Sequence, residues 1–391
     1  MSLPLVSHSP DLQRLVDEGY ELEFKEGHVI AHHVPFLTAT GAVQFGSLIS
    51  ELKISGDTTE RPDPHTVLFT GVPHDLDGQP LHKIINGIAR QESVGGLITQ
   101  SYLSSKPQIG YYDDYHAKLT QYIKMISGWA EAVDPSVTSR TFRPIVSDAE
   151  DSVFAYPDLA ASRAGISPIT NRLRVRSVGI VGLGGTGSYI LDLVAKTPVP
   201  AIHLWDSDVF LAHNAYRAPG AASLDELNER PLKVNYFAGK YGAMHRRIAP
   251  HPTNLDASNL AELDAVGFVF LSMDTGPSKR AIIDGLTARD IPFIDVGMGI
   301  NRQKDALGGI LRVTSSFPGR RDHIDQRISF AEEQDDEYDK NIQVADLNAL
   351  NAAMAVIRWK KFSGFYLDLM EEMHSTYTVS GNRLLSSDTK Q

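Results

Sequence analysis

Apolar and polar positions alternate over much of the first third of the chain. Between Glu21 and Pro62 the segments ELEFKEGHVIAHHVPFL and AVQFGSLISELKISG set β-branched and aromatic residues between Gly and Pro breaks, a pattern that predicts strands. DPHTVLFTGVPHD adds a short apolar strand running into a turn. The period then changes. LHKIINGIARQ reads as an amphipathic helix and YYDDYHAKLTQYIKMISGWAEAV as a longer one, with Tyr115, Leu119, Tyr122, Ile123 and Ile126 at helical intervals. Residues 1–145 are expected to form an α+β domain, and the aperiodic residues 146–162 a linker.

Residues 163–391 follow a different rhythm. VRSVGIVG, AIHLWDSD, VGFVFLSMD and IPFIDVGMG are short continuous apolar runs, and GSYILDLVAKT and SKRAIIDGLTARD between them read as helices. Such alternation predicts an α/β fold with a mostly parallel sheet covered on both faces. The acidic run Glu332–Asp339 reads as a solvated loop. VADLNALNAAMAVIRWKKFSGFYLDLM is strongly helical, and STYTVSGNRLL reads as a strand and turn.

A chain of 391 residues with 42% apolar and 22% charged residues is ordinary globular material, and its length favours two cores. A net charge of −11 argues against general binding to nucleic acid. The first residues, MSLPLVSHSPDLQR, lack a basic region followed by an apolar run, and no long uncharged apolar stretch follows. The expectation is a cytoplasmic protein with neither secretory signal nor membrane span. There is no cysteine, so disulfides, Cys-based zinc sites and thiol nucleophiles are excluded. His28 and His32 have HxxxH spacing, but on a strand positions four apart lie roughly 13 Å from each other, too far to share one ion.

The densest chemistry lies in VGIVGLGGTGSY, residues 178–189. Gly182, Gly184 and Gly187 form GxGxxG directly after a strand and before a helix, where phosphate would meet free backbone N–H groups; Gly185 makes it GxGGxG, with Thr186 between. Asp206 closes the next strand, where it could bind ribose hydroxyls. To this point a nicotinamide-dependent dehydrogenase and a purely structural turn explain as much as ATP binding does. WDSDVFLAHNAYRA then adds Asp208, Asn214 and Arg217, ERPLKVNY adds Lys233, and FLSMDTGPSKR adds Asp274 at a strand end. Two cations suit a triphosphate better than a neutral nicotinamide, and one carboxylate can hold Mg²⁺ beside it. Each has a plain alternative: Asp206 as the end of a strand, Lys233 as a helix-surface residue, and Asp274 as the cap of the next helix.

In this order the residues resemble the ThiF/MoeB/E1-like adenylyltransferases, which activate the C-terminal carboxylate of ubiquitin-like or sulfur-carrier proteins. The resemblance covers about residues 160–391: GLGGTG at 182–187 and DSDVFLAHNAYRA with Asp206, Asp208, Asn214 and Arg217 in register. The whole chain is similar to bacterial ThiF-domain proteins with an extra N-terminal domain from ubiquitin-like conjugation operons. The resemblance implies a Rossmann-like adenylation domain using ATP and Mg²⁺, with Asp206 on ribose, Asn214, Arg217 and Lys233 on phosphates, and Asp274 on the metal. It also implies a homodimer in which an arginine preceding the domain, Arg163 here with Arg172 and Arg174 as rivals, enters the partner's ATP site. A ubiquitin-like substrate and an E2-like protein are the implied partners, with the N-terminal domain as their recruiter or as a dimerisation element.

Two departures stand out. Ala218 replaces a Gln of the motif, and the absence of cysteine removes both the family's zinc site and its catalytic thiol. Either adenylation is the final step, or a hydroxyl of Thr314, Ser315 or Ser316 takes the acyl group, or a cysteine has been replaced. The three hydroxyls fall in LRVTSSFPGRRDHI, within a crossover loop expected at about 312–341, and a polar turn before Pro318 is the plain alternative there. His323 is the nearby base in sequence. A non-catalytic nucleotide-binding scaffold remains a further alternative.

Overall fold

The computed structural model describes residues 3–56, 58–143, 152–330 and 342–389. The acidic run Glu332–Asp339, residues 146–151 of the expected linker and residues 331–341 of the expected crossover loop lie outside the described residues. The chain divides into two compact units, Met1–Ser167 and Pro168–Gln391. No helix among the described residues is long and apolar enough to cross a membrane.

In the first unit the strands are β1 Leu22–Lys25, β2 His28–Leu37, β3 Val43–Glu51, β4 Ile54–Ser55, β5 Thr58–Thr59, β6 Val67–Phe69, β7 Ile85–Glu92 and β8 Ile98–Leu103. Six of them make one antiparallel sheet in the order β1-β2-β3-β6-β8-β7. The helix Tyr115–Val133 buries Tyr115, Leu119, Tyr122, Ile123 and Ile126 in a core shared with Val29, Leu48 and Leu103. Asp114 caps it, accepting a hydrogen bond from the Ala117 amide at 2.7 Å, which satisfies one of the first turn's free donors. His32 lies on β2 with its ring nitrogens 2.9 Å from Glu23 Oε2 and Ser47 Oγ, so it is held by ordinary polar contacts.

One expected element is different in kind. LHKIINGIARQ is not a helix; most of it forms β7, an edge strand paired only with β8. The register slips between Ile85 and Gly87 and again between Ile88 and Gln91. Irregularities of this kind disturb the two-residue alternation, so the isoleucines recur at spacings that imitate a helix.

The second unit is an α/β, Rossmann-like fold. Its strands are β9 Val178–Val181, β10 Ile202–Trp205, β11 Ile248–His251, β12 Phe268–Leu271, β13 Phe293–Gln303, β14 Ala306–Ser316, β15 His374–Thr378 and β16 Arg383–Ser387. They lie in the order β11-β10-β9-β12-β13-β14-β15-β16, parallel through β13 and antiparallel beyond it. All four positions of β9 and of β12 are buried, which is why these strands read as unbroken apolar runs. Ile180, Leu204 and Phe270 face a core built with the helices Gly185–Val194, Lys233–Gly242 and Ala345–Phe362. Val181, Val269 and Leu271 face the helix Pro277–Ala288 on the other side. Each such side chain, fully buried, contributes about 1.5–3 kcal/mol. The strand order reverses between β9 and β12, and the carboxyl ends of these two strands bound the crevice where sheets of this type bind ligands.

The expected crossover loop begins later than its sequence suggests. Residues 312–316 complete β14, whose pairing with β13 runs without a break from Gln303↔Ala306 to Phe293↔Ser316. Thr314 is β-branched, and its hydroxyl, like that of Ser316, finds a polar partner within the fold, so a polar sequence forms buried strand here.

Candidate functional site

The turn after β9 is folded tightly onto the end of β12. Gly182 has φ of +86°, and a Cβ there would stand 2.2 Å from the Ser272 carbonyl oxygen; one at Gly187 would stand 1.9 Å from the Gly182 carbonyl oxygen. Both positions require glycine, because backbone occupies the space. Gly184 differs. It caps the helix Gly185–Val194, and nothing lies within 4 Å of where its Cβ would be. The first amides of that helix therefore have an open approach, and they carry the partial positive charge of a helix N-terminus.

Asp206 is buried directly beside this turn. Its Oδ2 accepts from the Leu183 amide at 2.7 Å and its Oδ1 from the Asp208 amide at 2.9 Å. Lys233 opens the helix Lys233–Gly242, where its amide donates to the Asp208 carbonyl at 2.8 Å. Its ammonium lies 2.6 Å from Asp208 Oδ2 and 3.4 Å from Asp206 Oδ2. A carboxylate offers about four lone-pair positions, so Asp206, already holding two amides and an ammonium, retains room for about one ribose hydroxyl. Its larger role is to fasten the glycine turn to the next strand.

Asn214 is also committed. Its Oδ1 accepts from the Leu211 amide at 2.9 Å, closing the short helix Ala212–Ala215, and its carbonyl accepts from the Arg217 amide at 3.1 Å. The side chain expected to touch phosphate thus builds the corner that presents Arg217. Arg217 is half-buried, and its Nε is sealed from solvent with no hydrogen-bond partner among the described residues. Leaving such a donor unmade costs about 1–3 kcal/mol. A bound anion would remove that cost, so the arginine fits a phosphate.

Asp274 follows β12 and is exposed, without ion pair or side-chain hydrogen bond among the described residues. Among the described residues no group of three or more His, Asp or Glu is placed to hold a metal ion. One carboxylate matches magnesium in nucleotide sites, where phosphate oxygens and water supply the remaining ligands. The Asp274 loop is held from below by residues that sequence analysis missed. Lys279 lies 3.3 Å from the Met273 carbonyl and 2.7 Å from Asp295 Oδ1, and Arg312 Nη2 lies 2.6 Å from Asp295 Oδ2. The available signal was Asp295 itself, a lone carboxylate in the apolar run IPFIDVGMG.

The remaining expectations fare differently. Thr186 Oγ1 donates to Asn348 Oδ1 at 2.9 Å, so its hydroxyl is committed within the fold. Thr314, Ser315 and Ser316 are wholly inaccessible to solvent. Arg312 donates to Thr314 Oγ1, Arg321 donates to Ser316 Oγ, and His323 Nε2 meets the Ser315 carbonyl at 2.7 Å rather than any hydroxyl. In this structure none of the three is open to an acyl group, and His323 is not placed as their base. Arg163 ends the helix Leu159–Arg163 of the first unit and is exposed. Arg172 donates to the Gly364 carbonyl and lines a pocket with Phe268, the first residue of β12, at the sheet edge opposite the glycine turn.

Residues 10–159 match a family described as a domain of unknown function, DUF6791. No curated protein matches the chain. Similar solved structures include Escherichia coli MccB with MccA-N7isoASN, at 16% identity over 60% of this chain and 71% of that one, with a TM-score of 0.49. The same protein with ATP aligns at 18% identity over 60% and 70%, with a TM-score of 0.47. PaaA aligns at 15% identity over 92% of this chain and 99% of its own length, also with a TM-score of 0.47.

Proposed function

We propose that the second unit binds ATP at the turn after β9 and transfers its adenylyl group to the C-terminal carboxylate of a ubiquitin-like protein. The observation that carries this reading is Arg217, whose buried Nε has no partner among the described residues and whose carbonyl lies 3.5 Å from Asn348 Nδ2, the same side chain that packs on Gly185 of the glycine turn. Two cations, Arg217 and Lys233, beside one glycine turn suit the higher charge of a triphosphate better than the pyrophosphate of a dinucleotide.

In the reaction, a carboxylate oxygen of the partner attacks the α-phosphorus, the bond to the bridging oxygen breaks, and pyrophosphate leaves with that electron pair. Anion meets anion, and at an effective dielectric near 20 each like-charge contact at 4 Å costs about 4 kcal/mol. The amides of Gly184 to Thr186 donate to phosphate oxygens, and Arg217 and Lys233 offset their charge. Lys233 reaches them by exchanging Asp208, whose side chain is 70% exposed, for phosphate. Asp274 would hold Mg²⁺, which supplies further charge neutralisation. The acyl-adenylate is the product; the buried hydroxyls of β14 take no part. The same reading makes the protein a homodimer in which Arg163 of one copy reaches the other's ATP site, with an E2-like protein as the next acceptor.

ATP–pyrophosphate exchange with a ubiquitin-like partner is the test. Exchange above background, lost in Asp274→Ala and Arg217→Ala, supports the reading. Absence of exchange, or tighter binding of NAD than of ATP, overturns it.

A further inference from the structure

Asn348, on the helix Ala345–Phe362, is fully buried and touches three parts of the phosphate site at once. Its Oδ1 accepts from Thr186 Oγ1 at 2.9 Å, and its Nδ2 lies 3.5 Å from the Arg217 carbonyl oxygen. Its amide also fills the space where a Cβ at residue 185 would stand, 2.1 Å from Nδ2. Three residues on, the equally buried Asn351 donates to the Gly297 carbonyl at 3.1 Å, so the helix turns an amide pair toward the ligand edge of the sheet. A helix packed on a sheet normally buries apolar residues there, since a buried amide costs about 1–3 kcal/mol unless it is hydrogen-bonded. Stability alone would not place an asparagine at 348.

We infer that Asn348 is a positioning residue that holds the Gly185–Thr186 turn and the Arg217 loop in one fixed relation. A neutral amide suits this role. It accepts from the threonine and donates to the carbonyl in the same plane, whereas a carboxylate lacks the donor and an alkyl group lacks both. Because the side chain reaches both segments, the helix-terminal amides and the guanidinium converge on the same group of phosphates instead of drifting independently. The contact also supplies a reason for Gly185, the extra glycine of GxGGxG: any side chain there would displace the asparagine. That the phosphates belong to ATP rests on the proposed function; the bracing of the two segments does not.

The experiment has one arm on the free protein and one on the nucleotide. In the ligand-free protein, Asn348→Ala is expected to speed amide hydrogen exchange across both 183–187 and 214–218, and unchanged exchange in both would overturn the inference. In ATP titrations the same variant should bind about ten-fold more weakly, the loss expected for one or two hydrogen bonds. The pyrophosphate exchange rate at saturating ATP should fall as well, because Arg217 is no longer held against the developing charge. Adding Thr186→Val to Asn348→Ala should weaken binding no further, whereas multiplying effects would show that the two act separately. Gly185→Ala should bind poorly and recover part of its affinity when combined with Asn348→Ala; no recovery would count against the steric bracing. A parent protein that binds no ATP would overturn the proposed function, while the hydrogen-exchange arm would still decide the role of Asn348.

Discussion

The Lys279 ammonium stands 2.7 Å from Asp295 Oδ1, and both side chains are almost fully shut off from water. Lys279 belongs to the first turn of the helix after the Asp274 loop, and Asp295 pairs with Leu271, the last residue of β12. The pair therefore pins the loop that carries Asp274 to the neighbouring strand at the level of the ligand edge. Its Coulomb attraction is offset by the cost of removing both charges from water, so its contribution to stability shows mainly when one partner is removed.

Asp295→Asn should therefore be strongly destabilising, because it leaves Lys279 buried without its counter-charge and Arg312 without its ion-pair partner. The expected loss is about 3–5 kcal/mol of unfolding free energy, read from urea titrations. A loss below about 1 kcal/mol, the level of an exposed pair, would show that water reaches the site. Lys279→Met should cost less, because Asp295 keeps Arg312 as its counter-charge, and should lower pyrophosphate exchange, since the Met273 carbonyl loses its tether.

The legibility of the site in sequence follows the range of the interactions. Apolar runs of one sheet, the glycine turn and the helix Tyr115–Val133 depend on neighbours a few residues apart, and pattern finds them. The roles of Asp206 and Asn214 depend on which lone pairs backbone amides have already taken, and a motif does not display that. Asn348 contacts Thr186 from 162 residues away, so only the folded chain reveals why Gly185 is a glycine. The burial of Thr314, Ser315 and Ser316 follows from the length of the β13–β14 pairing, which the polar letters of TSS conceal.

The glycines of the turn should separate cleanly by substitution. Gly184→Ala should fold with a stability change within about 0.5 kcal/mol, because no protein atom lies near its Cβ position, yet it should bind ATP poorly by crowding the open side. Gly187→Ala forces a Cβ against the Gly182 carbonyl and should cost about 1–3 kcal/mol of stability. Thermal unfolding and ATP titration of the two variants provide the check. Equal stability of the two would contradict the packing.

Arg217 should show the opposite balance between stability and function. Arg217→Gln removes a buried donor that has no partner among the described residues, so the melting temperature should hold or rise. Loss of a preorganised cation opposite developing charge should lower pyrophosphate exchange about 10²–10³-fold. A variant with parent-like exchange would remove the arginine from the phosphate site.

The far side of the Asp295 network carries a pH signature. Arg312 donates to Thr314 Oγ1, and that hydroxyl lies 3.0 Å from His374 Nδ1. The hydroxyl accepts from Arg312 and keeps a proton that it can donate to Nδ1 of a neutral ring. Burial lowers the His374 pKa to about 4, helped by the positive charges of Arg327 and Arg312 and by His323, with Asp388 opposing. The unfolded chain then binds a proton that the folded chain refuses between pH 6.5 and about 4. By linkage, stability is intact above the unfolded value and falls as the pH drops through that window. His203 and His245, both lowered mainly by burial, act in the same direction, whereas Asp388 loses its Arg327 pairing only at lower pH. His374→Asn keeps an acceptor for Thr314 without a titrating ring. It should flatten part of the decline in melting temperature between pH 6.5 and 4 and leave the neutral-pH value nearly unchanged. An identical decline in the variant would assign the acid sensitivity to the other histidines and show that protonation of His374 does not disturb the donor chain from Arg312.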